Sequence, residues 1–540
     1  MPNITVADQI VDMLARAGVK HIYAIPGDSL NAINDAVNRD GRIKWIHVRH
    51  EETGAFAAGA EALFAGRLGC CGGSSGPGHV HLINGLYDCQ RGYAPVVALA
   101  STCPSGEFGT GYFQETDTGK LFADCSLYNE VANTPTQVAR MLQQAMQTSL
   151  ERDGVTVVGL PGDVTSMPAA NADSADATFV TPVVPKASPD QVRDVAALLN
   201  DTKKITIYAG AGAMACPELI VKLATQLAAP VVATFKSKMA IAPGNPNFVG
   251  LNGLVGTKSG FRAVNDADVL LMLGCDFPFP MYPRDKHIVQ VDLRPEHIGR
   301  RCKVNTGICA DVAEFVNALL PLLDDRSDDD DFLKASLALA QETADALAAK
   351  AADPGRPGLI TPQYVMDMVD KLADDDAIFT VDTGMNCTWT AQYLTPNGKR
   401  QLLASFFHGT MANAMPQAIG AQLACPDRQV IAFSGDGGIS MLLGDLMTIA
   451  QYKLPVKIVV MDNDSLAMVR LEMMGEGYQP WETDMANPGY DAIARAMGIA
   501  AYSVTKPEDV KPTLATALST YGPALITIST NKDATPPPLS

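Results

Sequence analysis

The stretch that decides the fold is QVIAFSGDGGISMLLGDLMTIA, residues 429–450. It begins with an apolar run, continues through Gly435, Asp436, Gly437 and Gly438, and ends in a predicted helix. Glycines at such a turn let the backbone approach a phosphate group closely, and the first N–H groups of the helix can donate to it. A strand-to-helix turn without a ligand is the alternative interpretation of this motif taken alone.

Short apolar runs that end in Gly, Asp, Ser or Asn recur along the whole chain. They are PVVALAS (95–101), KITIYAG (204–210), DVLLMLG (268–274), IVQVD (288–292), AIFTVD (377–382) and VKIVVMDN (456–463). Continuous Val, Ile and Leu runs suit strands that are buried on both faces of a parallel sheet. Two composition shifts divide the chain, a polar stretch around 170–190 and an acidic run at 324–331 that is interpreted as a solvated linker. The sequence therefore predicts an α/β protein with three doubly wound parallel-sheet domains, at residues 1–180, 186–335 and 355–535.

Composition excludes several classes of protein. The formal charge of −18 repels a phosphate backbone, so nucleic acid is not an expected partner. No apolar run approaches the roughly 18 residues that a membrane span needs, and the amino terminus lacks the pattern of a secretory signal. The eleven cysteines have no C-x-x-C spacing, as expected for reduced thiols. We therefore expect a cytoplasmic protein without stable membrane insertion.

Two strand ends supply the ligands for a metal ion. Asp436 follows one apolar strand, and Asn463 follows the next strand 27 residues later. Because adjacent parallel strands end at the same edge of a sheet, the two side chains are expected to lie close together. A carboxylate and an amide oxygen, with phosphate oxygens and a backbone carbonyl, form a suitable shell for Mg²⁺.

This GDGG…DND pattern resembles the diphosphate-binding motif of thiamine diphosphate enzymes. The resemblance implies that Asp436, Asn463 and the backbone carbonyl of Ser465 hold Mg²⁺, and that Gly435, Gly437 and Gly438 contact the cofactor. Asp462 stands where the family commonly has Asn, which adds a negative charge beside the metal.

The N-terminal stretch VRHEETGAFAAGAEA (48–62) resembles the glutamate motif of the family's pyrimidine-binding domain. A lone Glu at a helix start is ordinarily a surface acid that interacts with the helix dipole. The resemblance instead implies that Glu51 hydrogen-bonds the aminopyrimidine N1′ of thiamine diphosphate and favours its imino tautomer. His50 is interpreted as a packing residue, and His79 and His81 lack the further ligands that a metal site needs.

The resemblance assigns further residues around the same cofactor. Phe113 and Gln114 match residues that border the substrate pocket, and Met411 matches the bulky residue between the two cofactor rings. A core methionine is the alternative for Met411. The residues expected to contact the diphosphate and the aminopyrimidine are Asp382, Gly384, His408 and Gly409.

The middle domain carries a second ligand motif. Gly210-x-Gly212-x-x-Ala215 follows a strand and fits a dinucleotide fingerprint, but no acid ends the next strand, which disfavours NAD. VGLNGLVGTKSGF (249–261) and QVDLRPEHIG (290–299) resemble instead the flavin domain of pyruvate oxidases. The residues implied to contact FAD are Gly210, Gly212, Gly274, Asp292 and Asp311; turn-capping is the alternative for the two acids.

Taken together, the chain is similar to pyruvate oxidases of the quinone-reducing type, without their C-terminal lipid-binding segment. The resemblance implies oxidative decarboxylation of pyruvate through hydroxyethyl-thiamine diphosphate, to acetate or acetyl phosphate and CO₂. Electrons would pass to FAD and then to a quinone, oxygen or another acceptor. The group commonly has an aromatic residue where Met468 stands, which leaves the electron route open.

Three other functions compete with the oxidase. The first is an acetolactate synthase-type carboligase with an idle or absent flavin, and the second is decarboxylation of another 2-oxo acid or acetyl transfer. The third is a non-catalytic cofactor-binding paralogue, which the presence of Glu51 disfavours. By resemblance we also expect a homotetramer whose active sites form between subunits.

Overall fold

Three six-stranded sheets form the framework of the protein. The computed structural model describes residues 4–170, 179, 183–276, 286–326 and 330–538. Within each of these sheets all strand pairs are parallel, so the carboxyl ends of the strands meet at one edge. The predicted α/β fold with three parallel-sheet domains is confirmed. Parts of the polar stretch near 170–182 and of the acidic run lie outside the described residues.

The N-terminal sheet has the strand order β2-β1-β3-β4-β6-β5. Its strands are β1 (His21–Ala24), β2 (Lys44–His47), β3 (Gly69–Gly73), β4 (Val96–Thr102), β5 (Tyr128–Val131) and β6 (Val155–Pro161). The helices around it are α1 (Val6–Arg16), α2 (Asn31–Asp40), α3 (Glu51–Ala65), α4 (Pro77–Gly92), α5 (Thr118–Leu121), α6 (Pro135–Arg152) and α7 (Gly162–Ser166).

The central sheet has the order β12-β11-β10-β7-β8-β9, which is the strand order of dinucleotide-binding folds. Its strands are β7 (Ile205–Ala209), β8 (Val231–Ala233), β9 (Phe248–Leu251), β10 (Val269–Leu273), β11 (His287–Asp292) and β12 (Thr306–Cys309). Its helices are α8 (Pro189–Asp201), α9 (Pro217–Gln226), α10 (Lys238–Ile241), α11 (Lys258–Asp266) and α12 (Val312–Leu319).

The C-terminal domain begins with a long helix and a short hairpin. These are α13 (Asp331–Ala351) and the antiparallel strands β13 (Gly355–Arg356) and β14 (Leu359–Ile360). The six-stranded sheet comprises β15 (Ile378–Val381), β16 (Gln401–Ala404), β17 (Val430–Gly435), β18 (Lys457–Asp462), β19 (Ala500–Val504) and β20 (Ala524–Ser529). The remaining helices are α14 (Pro362–Leu372), α15 (Met385–Tyr393), α16 (Ala414–Ala424), α17 (Asp436–Met441), α18 (Leu446–Tyr452), α19 (Ala467–Gly475), α20 (Tyr490–Ala496) and α21 (Pro507–Ser519).

The N- and C-terminal sheets share one topology. The C-terminal order β16-β15-β17-β18-β20-β19 repeats the N-terminal order, with the first strand flanked by the second and third. The two domains pack through α3 and α16, which are rich in Ala and Gly. A Cβ on Gly420 would lie 2.0 Å from the carbonyl oxygen of Ala57, so only glycine permits this approach of the two backbones. A continuous apolar core therefore joins the two domains.

Candidate active site

The predicted metal ligands lie together at the carboxyl edge of the C-terminal sheet. β17 and β18 pair in parallel with Gly435 opposite Met461, which places Asp436 beside the loop after β18. The Asp436 carboxylate accepts hydrogen bonds from the backbone N–H groups of Asn463 and Ser465, at 3.3 and 3.2 Å. The Asn463 side-chain oxygen accepts a second bond from Ser465 N at 3.0 Å. The structure thus brings the three residues of the predicted metal site into contact.

A cavity of about 280 Å³ opens over these residues. It lies where the strand order reverses, between β15 and β17, which is where open α/β sheets bind ligands. The predicted residues that line it are Gly384, Gly409, Met411, Gly435, Asp436, Gly437, Gly438, Asn463 and Ser465. The turns before α15 and α17 border the cavity, so the first N–H groups of both helices lie at this edge. This donor set fits a diphosphate and a hard cation.

The glycines of the turn are required by close contacts. A Cβ on Gly438 would lie 2.2 Å from Asp382 Oδ2, and a Cβ on Gly437 would lie 3.0 Å from Met411 Cε. Asp382 is buried beneath the turn, accepts a hydrogen bond from Ala414 N at 2.8 Å, and does not itself line the cavity. Burial raises the pKa of Asp382 to about 7. Asp382 therefore supports the turn from below.

Met411 is held at the cavity by an unusual backbone. Gly409 and Ala412, on either side of it, both have left-handed conformations, with φ of 71° and 66°. Such a conformation costs energy for Ala and persists where the surrounding structure fixes it, often at functional sites. The loop therefore presents Met411 over the glycine turn, as expected for a residue that shapes the bound cofactor.

Asn487 is a member of this site that sequence reasoning missed. Its side-chain N–H group donates to the carboxylates of Asp436, Asp462 and Asp464, at 2.8, 2.9 and 3.2 Å. Burial, together with the neighbouring charges of Asp436 and Asp464, raises the pKa of Asp462 to about 6. Three carboxylates around one weak donor form a local concentration of negative charge, which a divalent cation would neutralise.

His408 does not line the diphosphate cavity. Its Nε2 is 2.8 Å from Asn84 Oδ1, and its ring stacks on Tyr87 with centroids 5.5 Å apart. These contacts place it at the junction with the N-terminal domain, and it is outside the described lining of the diphosphate cavity. Its predicted contact with the cofactor stays a prediction.

Glu51 begins α3 and is buried. Its Oε2 lies 2.9 Å from His81 Nδ1, on α4, and the His81 ring stacks on His50 at 4.4 Å. Ligand atoms of His50, Glu51 and His81 lie within 4.8 Å of one another, a cluster that sequence spacing did not indicate. His79 instead faces the core, hydrogen-bonds Thr116 and Ser101, and has a pKa lowered by burial to about 4.

Glu51 is not among the described residues that line the diphosphate cavity of its own chain. All described residues that line that cavity belong to the C-terminal domain. Phe113 lies on a surface loop with 74% of its side chain exposed, and Gln114 has a left-handed backbone with φ of 59°. Ser75 Oγ donates to the Gln114 carbonyl at 2.6 Å, so this strained loop is anchored near the start of α4.

A second cavity, of about 320 Å³, lies at the carboxyl edge of the central sheet. β7 and β10 are neighbours at the reversal of strand order, and the turns after them contain Gly210 and Gly274. A Cβ on Gly210 would lie 2.2 Å from the Gly274 carbonyl oxygen, and Gly274 has a left-handed φ of 59°. The glycines therefore permit two turns to touch, and Gly212 and Gly274 line the cavity.

The two predicted acids also line this cavity. Asp292 accepts a hydrogen bond from Arg294 N at 2.9 Å and lies 3.1 Å from His297 Nδ1, while Asp311 caps α12 by accepting from Glu314 N. Residues that sequence reasoning missed complete the walls; they are Tyr93, Thr234, Lys236, Phe406 and Phe407. The lining combines aromatic rings, cationic side chains and glycine backbone at the point where the strand order reverses. Such a combination fits an aromatic dinucleotide such as FAD.

Comparison with known proteins identifies the class. Thiamine pyrophosphate enzyme models match the N-terminal TPP-binding domain at residues 4–121, the central domain at 192–319 and the C-terminal TPP-binding domain at 382–528. The chain belongs to the thiamine pyrophosphate enzyme family, whose members are enzymes of decarboxylating type. None of the described helices has the length and apolar composition that crossing a membrane requires.

Individual relatives align over almost the whole chain. YdaP of Bacillus subtilis, provisionally named as thiamine pyrophosphate-containing, is 33% identical over 100% of this chain and 93% of its own. The pyruvate oxidase of Lactiplantibacillus plantarum is 31% identical over 97% of this chain and 88% of its own length. The acetolactate synthase isozyme 1 large subunit of Escherichia coli is 28% identical over 97% of this chain and 93% of its own length.

Proposed function

We propose that the protein is a pyruvate oxidase that uses thiamine diphosphate, Mg²⁺ and FAD. It decarboxylates pyruvate to acetate or acetyl phosphate and CO₂, and passes the electrons through FAD to a quinone, oxygen or another acceptor. The observation that carries the proposal is a pair of cavities, each at the point where the strand order of a sheet reverses. The predicted metal ligands line the first cavity, and the second lies on a sheet with the strand order of dinucleotide-binding folds. The similarity to a pyruvate oxidase over 97% of the chain supports it.

The first cavity is proposed to hold thiamine diphosphate and Mg²⁺. Asp436, Asn463 and the carbonyl of Ser465 would bind the cation, and the N–H groups of the glycine turn would bind the diphosphate. Bound thiamine diphosphate supplies an electron sink for the carbon that loses CO₂, and FAD supplies a two-electron acceptor. Met411, which lies over the glycine turn, would orient the cofactor.

Glu51 is proposed to hold a proton at the aminopyrimidine ring. A buried carboxylate beside His81 is suited to that task, because few competing water molecules reach it. Since the described lining of the diphosphate cavity comes from the C-terminal domain and does not include Glu51, the complete site is proposed to form between two copies in a homotetramer. The exposed apolar loop at Phe113 supports this arrangement, because a subunit contact would cover it.

Mixing two inactive variants tests the shared site. Glu51→Gln and Asp436→Asn remove the two halves of the site, so each variant alone should be inactive. If the halves come from different copies, dissociating and reassociating equal amounts should restore about a quarter of the parent activity on random pairing. A mixture that stays inactive, although mixed oligomers are demonstrated by mass spectrometry, would contradict the proposal.

Anaerobic mixing tests the reaction itself. The purified protein with bound flavin is mixed with thiamine diphosphate, Mg²⁺ and pyruvate while the flavin absorbance is recorded. Bleaching that requires both thiamine diphosphate and pyruvate supports an oxidase, and product analysis with and without phosphate separates acetate from acetyl phosphate. Glu51→Gln should bind flavin without bleaching it, whereas Glu130→Gln, at an exposed acid of the same domain, should behave as the parent.

The carboligase remains the second candidate function because acetolactate synthases are similar to the chain at comparable identity. Flavin that stays oxidised while CO₂ and acetolactate form would identify that reaction and overturn the oxidase. A protein without flavin would overturn the proposed role of the central cavity.

A further inference from the structure

Lys236 stands at the carboxyl edge of the central sheet. It follows β8, which pairs in parallel with β7, the strand that ends at the Gly210 turn. The β8 end is fixed, because Thr234 N donates to the Ala209 carbonyl and to Ser237 Oγ. Lys236 lines the central cavity together with Gly212. Lys236 therefore borders the same cavity as the glycine turns of β7 and β10.

The Lys236 ammonium group has one backbone hydrogen-bond acceptor and two aromatic neighbours. Its Nζ donates to the Gly92 carbonyl at 3.2 Å, and lies 6.0 and 5.7 Å from the ring centroids of Phe406 and Phe407. Burial lowers the pKa of Lys236 to about 8, although the charges of Asp88 and Asp153 act in the opposite direction; Arg294 acts with the burial. An ammonium group has three donors, and one backbone carbonyl satisfies one of them.

The acids of the cavity already have partners of their own. Asp276 pairs with Arg300 and Arg301, and Asp153 lies 3.3 Å from Arg294. Asp292 contacts Arg294 N and His297, and Asp311 accepts a hydrogen bond from Glu314 N. Among the described residues no carboxylate lies within ion-pair distance of Lys236 Nζ. A partly desolvated cation at a cavity wall, without a carboxylate partner, is suited to an anionic ligand.

We propose that Lys236 binds the diphosphate of the dinucleotide in the central cavity. The inference rests on the proposed function, which places FAD there, and it adds the residue that recognises the anionic part of FAD. In open α/β sheets the phosphates lie nearest the carboxyl ends of the strands, and Lys236 follows such an end. The aromatic rings of Phe406 and Phe407 form an apolar part of the same wall, against which the ring systems of the cofactor would pack.

Binding of FAD and riboflavin to flavin-free protein tests the proposal, with flavin fluorescence as the readout. Riboflavin has the same ring system but no diphosphate. Lys236→Gln should weaken FAD binding by about 10- to 100-fold, the range expected for a hydrogen bond to a charged group, and leave riboflavin binding unchanged. Lys236→Arg should keep most of the FAD affinity because its charge remains. Lys258→Gln, at a lysine of the same domain that faces Glu342 outside this cavity, is the matched control.

The pH dependence gives a readout that a structural role would not move. FAD affinity of the parent should fall as the pH rises above about 8, while that of Lys236→Arg should stay constant, since Arg keeps its charge. Equal FAD affinity of the parent and Lys236→Gln, or equal losses for FAD and riboflavin, would overturn the role of Lys236 alone. A parent that binds no FAD would overturn the proposed function together with it.

Discussion

Replacing Asp88 with Asn tests the electrostatics of the junction between the N- and C-terminal domains. Asp88 lies on α4 and is 9% exposed. Ser405 Oγ donates to its Oδ1 at 2.6 Å, and Gln417 Nε2 donates to its Oδ2 at 3.0 Å, both from the C-terminal domain. Burial raises the pKa of Asp88 to about 6, although these two donors and the charge of Lys236 favour the ionised form.

The pKa sets the size and the sign of the effect. The folded-state pKa of about 6 exceeds the ordinary carboxyl value of 3.8, and each pKa unit corresponds to about 1.36 kcal/mol. Between these pH values the folded protein holds a proton that the unfolded chain has released, so stability falls as the pH rises. Above about pH 6 the ionised group destabilises the fold by about 3 kcal/mol. Asn does not titrate and removes this pH dependence.

Urea unfolding of the parent and of Asp88→Asn at about pH 4 and about pH 7.5 measures the effect. Relative to that of the parent, the free energy of unfolding of the variant should rise by about 2.4 kcal/mol from the lower to the higher pH, because at about pH 4 the ionised group has already cost part of the full ~3 kcal/mol. This comparison cancels the change in hydrogen bonding, because Asn is present at both pH values. Asp427→Asn, at an exposed acid, should show no such change. A difference between Asp88→Asn and the parent that is the same at both pH values would refute the reasoning.

Two further substitutions test the diphosphate cavity. Gly438→Ala would place a Cβ 2.2 Å from Asp382 Oδ2, so we expect overpacking of about 1–3 kcal/mol and a weaker affinity for thiamine diphosphate, measured by calorimetry. Gly106→Ala, which meets open space, should bind as the parent does. Asn487→Leu should lower the free energy of unfolding in EDTA by about 1.5–3 kcal/mol, and Mg²⁺ should recover part of the loss by neutralising the carboxylates. Unchanged stability in EDTA would contradict the role of Asn487.

The sequence predicted the residues that lie at strand ends. Asp436 and Asn463 each follow an apolar run, and parallel pairing of neighbouring strands brings their carboxyl ends to one edge of the sheet. The same rule predicted the glycine turns of the central domain. Their steric reason was not visible in the sequence, because the contact between Gly210 and Gly274 joins residues that are far apart in the chain.

Other members of the sites could not be predicted from local pattern. Asn487 lies in a loop without a motif, and only the return of the chain past β18 brings it to the three carboxylates. Lys236 and Asp88 look like ordinary surface residues in the sequence, yet the packing of three domains buries Asp88 and half-buries Lys236. The ring contacts of His408 with Asn84 and Tyr87 were likewise not visible in its motif, and its predicted contact with the cofactor stays a prediction.

The sequence by itself determined the fold class, the three parallel sheets and the sheet edge at which the predicted metal ligands lie, because hydrophobic runs and glycine turns act over a few residues and parallel pairing then fixes where strand ends meet. Only the tertiary structure decided which charges are buried and which residues wall each cavity, since burial depends on contacts between distant segments. It also left Glu51 outside the described lining of the diphosphate cavity of its own chain. No local pattern contains that information, because it depends on how whole domains pack.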